Sequence, residues 1–282
     1  MSVRSPAAPD LAGFSEATRA WFTASFAAPT PAQAQAWTSI GRGEHTLVIA
    51  PTGSGKTLAA FLWAIDRLAR EPVPDDPKQR CRVLYVSPLK ALAVDVQRNL
   101  RSPLTGIGHA ARRLGLPEPD IRVGVRTGDT AADERRKLAG KPPDILITTP
   151  ESLYLMLTSR ARDTLRSVQT VIIDEVHAMA GGKRGAHLAL SLERLDALRA
   201  QGDGETAGQA PVQRIGLSAT VRPPEEVAAF LGGAAPVSIV TPPSDKQLEL
   251  KIVVPVEDMA DLQAGDGRPG GPEDERDRKS VV

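Results

Sequence analysis

The stretch APTGSGKT, which starts at Ala50, places glycines, hydroxyl side chains and a lysine directly before the run LAAFLWAIDRL. Gly53 and Gly55 allow a tight turn that brings backbone N–H groups close to an anion, and a helix beginning near Lys56 adds partial positive charge. Such a loop predicts nucleotide binding, with the Lys56 ammonium on the β and γ phosphates and the Thr57 hydroxyl on Mg²⁺. The usual pattern begins with glycine where this chain has Ala50, and a glycine-rich turn without a ligand is the alternative. The predicted contacts in the loop are Thr52, Gly53, Ser54, Gly55, Lys56 and Thr57.

An acidic pair, Asp174 and Glu175, ends the apolar run VIID and is followed by His177. A carboxylate at a strand end can hold the Mg²⁺ that bridges nucleotide phosphates, and a second one can orient and deprotonate water. Adjacent side chains of a strand point in different directions, so one carboxylate can hold the metal while the other faces the substrate. We assign Asp174 to the metal and the role of base to Glu175. Two solvated acids are the alternative, which the upstream loop disfavours. The predicted catalytic residues are Lys56, Glu175 and His177.

The tripeptide SAT ends another apolar run, with hydroxyls at Ser218 and Thr220. Small hydroxyl groups at this position can connect the acidic pair to a distant site through hydrogen bonds. An ordinary helix cap is the simpler interpretation of the same residues.

Short runs rich in Val, Ile and Leu recur along the chain and are continuous enough to be strands buried on both faces. Helix-like stretches separate them, which predicts an α/β fold with a mostly parallel sheet and helices on both faces. The predicted strands are residues 46–50, 82–86, 121–125, 144–148, 170–174, 213–218, 237–240 and 248–254. The predicted helices are residues 57–68, 89–100, 133–140 and 187–200.

The polar clusters all follow a predicted strand. In an open parallel sheet, ligands bind beyond the carboxyl ends of the strands, where the βα loops and helix N-termini gather. We therefore expect the phosphate loop, the acidic pair and the SAT hydroxyls to lie along one edge of one domain.

Composition limits the class of protein. The chain has 282 residues, of which 41% are hydrophobic, and 35 basic and 34 acidic residues leave a formal net charge of +1. Because basic and acidic residues are almost equal in number, the chain has no overall electrostatic attraction to nucleic acid, and a nucleic-acid partner must be inferred from local groups of residues. A single cysteine, Cys81, excludes an internal disulfide framework. The sequence has no signal-peptide core and no run of 18 apolar residues, which predicts a soluble, cytoplasmic bacterial protein.

Three regions follow from the composition. Residues 1–45 are a predicted helical segment, residues 46–256 the nucleotide-binding domain, and residues 257–282 a flexible linker. The last region is dense in Asp, Glu, Arg, Gly and Pro, so it buries too little apolar surface to offset its ordering entropy. Residues 201–211 form a similar, shorter loop.

The order of these clusters resembles the first RecA-like P-loop NTPase lobe of superfamily 2 DExH-box helicases. The combination of APTGSGKTLAAFLWAIDRL with DEVHAMAGGKRGAHLALSLERL is especially similar to the large helicase-related (Lhr-type) family of bacterial DNA helicases. The motifs that carry the resemblance are PTPAQ for the Q motif, APTGSGKT for motif I, SPLKAL for motif Ia, RTGD for the following turn, TTPES for motif Ib, DEVH for motif II and SAT for motif III.

The resemblance implies ATP-driven translocation on single-stranded DNA with 3′ to 5′ polarity, using Mg²⁺. It also implies that Gln33 recognises adenine, and a carboxamide does match the donor and acceptor of adenine N6 and N7. Phe14 or Phe26 is expected to stack on the base. A proline-started helix with exposed glutamines is the alternative for PTPAQ.

Two predicted helix starts favour contact with nucleic acid. Ser87-Pro88 and Thr149-Pro150 both have the pattern of an N-cap followed by proline at the first helical position, directly after a strand. Free N–H groups at such helix ends can hold successive phosphates without reading bases. Structural capping alone explains the same residues.

Basic residues near these helix starts are the other predicted nucleic-acid contacts. Lys90 and Arg126 add positive charge, which Glu151 opposes, and Arg184 follows Lys183 in the loop GGKRGAH. A solvated loop is the alternative for the last pair.

The family resemblance also implies a second lobe, which supplies arginines to the γ-phosphate. The residues beyond Thr220 are too few for such a lobe, which needs something over about 100 residues. We expect the isolated chain to bind Mg-ATP weakly and to hydrolyse it very slowly. An RNA-directed motor and a catalytically silent ATP-binding module are the alternatives.

Overall fold

The computed structural model describes residues 11–201 and 211–243. Seven strands form one sheet in the order β3-β4-β2-β5-β6-β1-β7, and every pair is parallel. The strands are β1 (His45–Ile49), β2 (Val83–Val86), β3 (Val123–Arg126), β4 (Ile145–Thr148), β5 (Thr170–Ile173), β6 (Gln213–Ser218) and β7 (Val237–Val240). The predicted α/β class is confirmed, and the described sheet is parallel throughout.

Nine α-helices lie in the described residues. They are α1 (Glu16–Ser25), α2 (Pro31–Gly41), α3 (Lys56–Arg70), α4 (Lys90–Arg113), α5 (Ala132–Gly140), α6 (Pro150–Leu157), α7 (His177–Ala180), α8 (Lys183–Ala200) and α9 (Pro224–Gly232). Two short 3₁₀ helices span Pro77–Arg80 and Arg160–Leu165. None of the helices in this described part of the chain is long and apolar enough to cross a membrane.

Alternate residues of each central strand supply the two layers of the core. On β1, Val48 packs into the layer covered by α1, α2, α3 and α4, whereas Leu47 and Ile49 pack into the layer that includes α6, α8 and α9. The strands β2, β4, β5 and β6 are buried at every position. Continuous apolar runs occur because a parallel sheet with helices on both faces has no solvent-facing side.

The edge strands differ from the central ones. β3 and β7 are only partly buried, because each has a neighbour on one side only. The predicted strand at residues 121–125 is displaced and runs from Val123 to Arg126, which brings Arg126 to the strand end. The predicted strand at 248–254 and the linker at 257–282 lie outside the described residues, as do positions 202–210 of the predicted loop.

The helices α1 and α2 precede the sheet; α1 packs against α4, and α2 packs against α3 and the loop that follows β1. Thr30 caps α2 in a reciprocal capping box with Gln33, and Pro31 occupies the first turn. The indole nitrogen of Trp37 donates a hydrogen bond to the Ala59 carbonyl oxygen of α3 at 3.0 Å. This contact fixes α2 against the helix that begins at Lys56.

Candidate functional site

The sheet order divides the predicted site residues into two groups along one edge. The ends of β5, β6 and β1 carry the acidic pair, the SAT hydroxyls and the glycine-rich loop, whereas β3, β4 and β2 carry the predicted nucleic-acid residues other than Arg184, which lies on α8. All seven strands are parallel, so both groups lie at the carboxyl edge. β6 lies between β1 and β5, so the loop and the acidic pair follow strands that are two places, or about 10 Å, apart.

The loop after β1 has the backbone that phosphate binding requires. Gly53 and Gly55 have φ angles of 81° and 79°, in the left-handed region that favours glycine. A Cβ atom at Gly55 would also lie 2.5 Å from Gln33 Nε2. Ala50 is buried, has no left-handed φ, and donates its N–H to the Ser218 carbonyl oxygen at 3.1 Å, so alanine fits where the usual pattern has glycine.

Gln33 and Thr30 attach the start of α2 to this loop. The Thr30 hydroxyl donates to the Ser54 carbonyl oxygen at 2.8 Å, and Gln33 Nε2 donates to the Gly55 carbonyl oxygen at 3.3 Å. Gln33 Oε1 also accepts from the Thr30 N–H at 3.0 Å, and the side chain is buried. The PTPAQ segment is therefore both a proline-started helix and a direct support of the glycine-rich loop.

The side chains of the loop fit an anionic ligand. Lys56 is only 6% exposed, and no ion pair connects it to any residue within 11–201 or 211–243. A buried ammonium without a counter-charge is costly, so an anion at this position is electrostatically favoured. The Ser54 hydroxyl is also buried without a hydrogen-bond partner among the described residues. Thr57, in the first turn of α3, and Asp174 supply the oxygen donors that Mg²⁺ prefers.

Tyr85, on the neighbouring strand β2, contacts the acidic pair and was missed by the sequence analysis. It lies on β2, is fully buried, and its hydroxyl donates a hydrogen bond to Asp174 Oδ2. Its ring stacks on Phe61 of α3 at a centroid distance of 4.9 Å. Burial, together with the Asp174 carboxylate, raises the pKa of the Tyr85 phenol, so the phenol remains a donor. Asp174 Oδ1 accepts from the Glu175 N–H at 3.0 Å, so both carboxylate oxygens are oriented.

Removing this donor should weaken the metal-dependent part of nucleotide binding. For Tyr85→Phe we expect the affinity for Mg-ATP to fall roughly 3- to 10-fold, because a hydrogen bond to a charged group contributes about 1.5–3 kcal/mol and other contacts recover part of it. Fluorescent-nucleotide titrations with Mg²⁺ and with EDTA measure the effect. Tyr154→Phe, on α6, is the control. An equal loss of affinity in EDTA would contradict the assignment.

The predicted separation of the two carboxylates by strand alternation is wrong, because β5 ends at Ile173, before either residue of the pair. Glu175 instead adopts a left-handed φ of 45°, an unfavourable conformation for a non-glycine residue that turns the chain out of the strand. The Asp174 side chain is buried, whereas the side chain of Glu175 is about one-third exposed, at 33%. The two carboxylates therefore have different environments because the chain turns at Glu175, and not because side chains alternate along a strand.

His177 connects the acidic pair to the end of β6. The Ser218 hydroxyl donates its single proton to the Ala219 carbonyl oxygen at 2.8 Å, so it accepts from His177 Nδ1–H, 3.1 Å away. The same Nδ1 lies 3.5 Å from Glu175 Oε2. Ser218 is fully buried, whereas Thr220 is exposed beyond the strand. Of the two predicted coupling hydroxyls, the structure brings Ser218 into contact with His177, which lies beside Glu175.

The two predicted helix starts have different structures. Thr149 caps α6, accepting from the Ser152 N–H, and Pro150 is in the first turn, as predicted. The Ser87-Pro88 prediction is wrong, because α4 begins at Lys90 with Leu89 at the N-cap position and without a side-chain cap. The Ser87 hydroxyl instead donates to the Leu89 carbonyl oxygen at 3.0 Å and closes a turn.

The predicted basic residues of this half differ in their partners. Lys90 Nζ pairs with Asp129 at 2.6 Å, and Arg184 donates from Nε and Nη2 to the two carboxylate oxygens of Glu151. The Arg184 guanidinium lowers the pKa of Glu151. Glu151 was expected to oppose the positive charge near the helix starts. It instead pairs with Arg184, and the pair carries no net charge. Arg126, at the end of β3, forms no ion pair with the described residues.

Two aromatic residues were predicted as partners of a nucleotide base. Phe14 is buried and packs edge-on against Trp37 and Trp63 at 4.8 and 5.4 Å, so it belongs to the core. Phe26 is 40% exposed and, with Thr57, lines a cavity of about 300 Å³. Only Phe26 is therefore accessible to a base.

Comparison with known proteins shows the family and the fold of the chain. The Lhr helicase/probable uracil glycosylase of Mycolicibacterium smegmatis is 67% identical over 252 residues, which cover 89% of this chain and 16% of that protein. The Lhr helicase/uracil glycosylase of Escherichia coli is 60% identical over 260 residues, 91% of this chain and 16% of that protein. This chain thus spans about one-sixth of the length of these relatives.

A structure of Mycobacterium smegmatis helicase Lhr bound to ssDNA and AMP-PNP matches with a TM-score of 0.78 and 66% identity, covering 89% of this chain and 30% of that one. The match confirms the RecA-like fold. The sequence profile described as DEAD/DEAH box helicase matches residues 30–228, from the cap of α2 to α9. The profile covers well over half of the sequence, and the chain belongs to the DEAD/DEAH box helicase family.

Proposed function

We propose that this chain is the ATP-binding first lobe of an ATP-dependent helicase that moves on single-stranded DNA. The observation that carries the proposal is the grouping of the Lys56 loop, the Asp174–Glu175 pair and the His177–Ser218 contact on one half of the carboxyl edge. The M. smegmatis relative, solved with ssDNA and AMP-PNP, supports ATP and ssDNA as the ligands. A 3′ to 5′ polarity and a cytoplasmic location are part of the same proposal.

The loop would hold the triphosphate through the N–H groups around Gly53 and Gly55 and through the Lys56 ammonium. Thr57 and Asp174 would hold Mg²⁺, which neutralises the charge on the β and γ phosphates. Glu175 takes the proton of the attacking water, since its side chain is the more exposed carboxylate of the pair. His177 lies between this carboxylate and Ser218, with its Nδ1 atom 3.5 Å from Glu175 Oε2 and 3.1 Å from the Ser218 hydroxyl, so a change at the base would reach β6.

Gln33 has a double role in this proposal. Its carboxamide already supports the Gly55 carbonyl, but Nε2 has a second hydrogen and Oε1 a second lone pair. These groups are the ones that would recognise adenine, so base recognition and loop position would be coupled through one side chain.

The other half of the edge would hold the DNA backbone. Ser87, Pro88, Thr149 and Pro150 are buried, so their part is to shape the turns and the start of α6. Arg126 supplies a charge that no carboxylate of the described residues pairs with, whereas Lys90 and Arg184 would exchange Asp129 and Glu151 for backbone phosphates. Contacts of this kind carry no base sequence, which suits a motor that steps along any strand.

A second lobe would complete the motor by placing arginines on the γ-phosphate. The chain spans 16% of the length of the relatives named above, and the two-lobed arrangement is proposed from the family resemblance. On its own, the 282-residue chain should bind Mg-ATP weakly and hydrolyse it very slowly.

The test compares ATP hydrolysis by the two-lobed protein with matched DNA and RNA strands. We expect DNA to stimulate turnover and RNA to stimulate it much less. Equal stimulation by RNA would favour an RNA-directed motor. Nucleotide binding without turnover in the two-lobed protein would favour a silent regulatory module, whereas robust DNA-stimulated turnover by the 282-residue chain alone would refute the need for a second lobe.

A further inference from the structure

A pair of arginines lies beside the turn that follows β3. Arg126 is the last residue of β3, and Arg135 lies on α5, the helix after the turn. Arg135 Nη2 donates to the Gly128 carbonyl oxygen at 2.7 Å. The Nε atom of Arg135 is shielded from solvent without a hydrogen-bond partner in the described part of the chain. A guanidinium has five N–H donors, and burying one of them unpaired is unfavourable.

Both guanidinium groups carry positive charge beside the same turn, since Arg126 ends β3 and Arg135 binds the Gly128 carbonyl oxygen two residues later. Burial lowers the pKa of Arg126, and the charge of Arg135 lowers it further. The described residues provide no carboxylate in an ion pair with either arginine. Neighbouring cations do have such partners, since Arg122 pairs with Asp120 at 3.0 Å and Arg136 pairs with Asp133.

Lys90 approaches the same turn from the other side. A Cβ atom at Gly128 would lie 3.4 Å from Lys90 Nζ, while the Gly128 carbonyl binds Arg135. Asp129 already neutralises Lys90 at 2.6 Å. The excess positive charge of this turn is therefore concentrated on Arg126 and Arg135.

Arg126 and Arg135 lie at the edge of the sheet where the nucleic acid is proposed to bind. Arg126 is in register with Thr148 of β4, whose hydroxyl donates to the Arg126 carbonyl oxygen at 2.7 Å. The next residue, Thr149, caps α6 at the same carboxyl edge. α5 has no buried residue, and Arg135 contacts the turn through the Gly128 carbonyl oxygen.

We propose that Arg126 and Arg135 together bind one backbone phosphate of single-stranded DNA, with Arg135 acting from outside the recognised motifs. The inference rests on the proposed function, since it adds a ligand to the same nucleic-acid edge. A phosphodiester between the two guanidiniums would remove their repulsion and pair the buried Nε of Arg135. Such a contact is independent of base sequence.

The experiment measures binding of a fluorescein-labelled oligo(dT) to the 282-residue chain by anisotropy, from about 50 to 200 mM salt. For Arg135→Gln we expect roughly 5- to 10-fold weaker binding and a salt slope smaller by about 1, as for one lost phosphate contact. Arg136→Gln, on the same helix, is the matched control and should stay within about twofold of wild type, because Arg136 is paired and exposed.

Two further variants separate phosphate binding from a structural effect. Arg135→Lys keeps the charge and should recover most of the salt slope. Arg126→Gln should resemble Arg135→Gln, and the double variant should lose less than the product of the two single losses, since both side chains bind one phosphate. Arg135→Gln should weaken the binding of a matched RNA strand by the same factor, because a phosphate contact does not distinguish the sugars.

The outcomes distinguish this inference from the proposed function. Binding by Arg135→Gln equal to that by Arg136→Gln would overturn the arginine pair, as would weaker binding with an unchanged salt slope. If the loss of affinity in the double variant equals the product of the two single losses, the two arginines do not share one phosphate. Failure of the wild-type chain to bind any oligonucleotide would instead count against nucleic-acid binding by this lobe as a whole.

Discussion

Replacing Glu175 by glutamine should leave Mg-ATP binding within about twofold of wild type and slow hydrolysis by about 10²- to 10⁴-fold, the usual contribution of a positioned general base. The amide is nearly isosteric with the carboxylate but cannot accept the proton of the attacking water. Binding should persist because Asp174, held by Tyr85 and by the Glu175 N–H, is unchanged. Nucleotide titration and single-turnover hydrolysis in the two-lobed protein measure the two parts.

The control is Glu226→Gln, which alters an exposed glutamate in the first turn of α9. Turnover by that variant should match wild type. If Glu175→Gln hydrolyses ATP at the wild-type rate, then Glu175 is not the base. If the substitution abolishes binding as well, the carboxylate serves the nucleotide or its metal and the division of roles with Asp174 is wrong.

Replacing Lys56 by alanine should weaken ATP binding by about 30-fold or more and thereby abolish turnover. Removing one partner of a buried charge pair costs about 2–5 kcal/mol in binding. Lys56 is 6% exposed and has no ion pair with the residues of the described ranges, so its charge is available to phosphate. Fluorescent-nucleotide titration of the 282-residue chain checks the loss directly.

The same substitution should not lower the thermal stability of the nucleotide-free protein, because it removes a buried cation that has no protein counter-charge. Lys78→Ala, at an exposed lysine of the first 3₁₀ helix, is the control and should bind ATP as wild type does. A Lys56→Ala protein that melts much earlier without ATP would indicate a structural role, and one that retains nucleotide affinity would refute the phosphate contact.

Local patterns were sufficient where the chemistry depends on residues close in sequence. The loop around Gly53 and Gly55 has the predicted left-handed backbone, and β1 and α3 flank it as expected. The acidic pair follows an apolar strand for the same reason. Ser87 shows the limit of such patterns, since a serine before proline can donate to a carbonyl two residues on instead of capping a helix.

Residue types and their order thus established the parallel α/β fold, the family, and the positions of the phosphate loop and the acidic pair. The folded chain alone decided that Tyr85 orients Asp174, that Gln33 supports Gly55, and that Arg135 reaches the turn after β3. These contacts join residues on different elements, and sheet order and helix packing determine which elements meet. A strand or helix pattern records how a segment buries its own side chains and carries no information about the neighbour it will acquire.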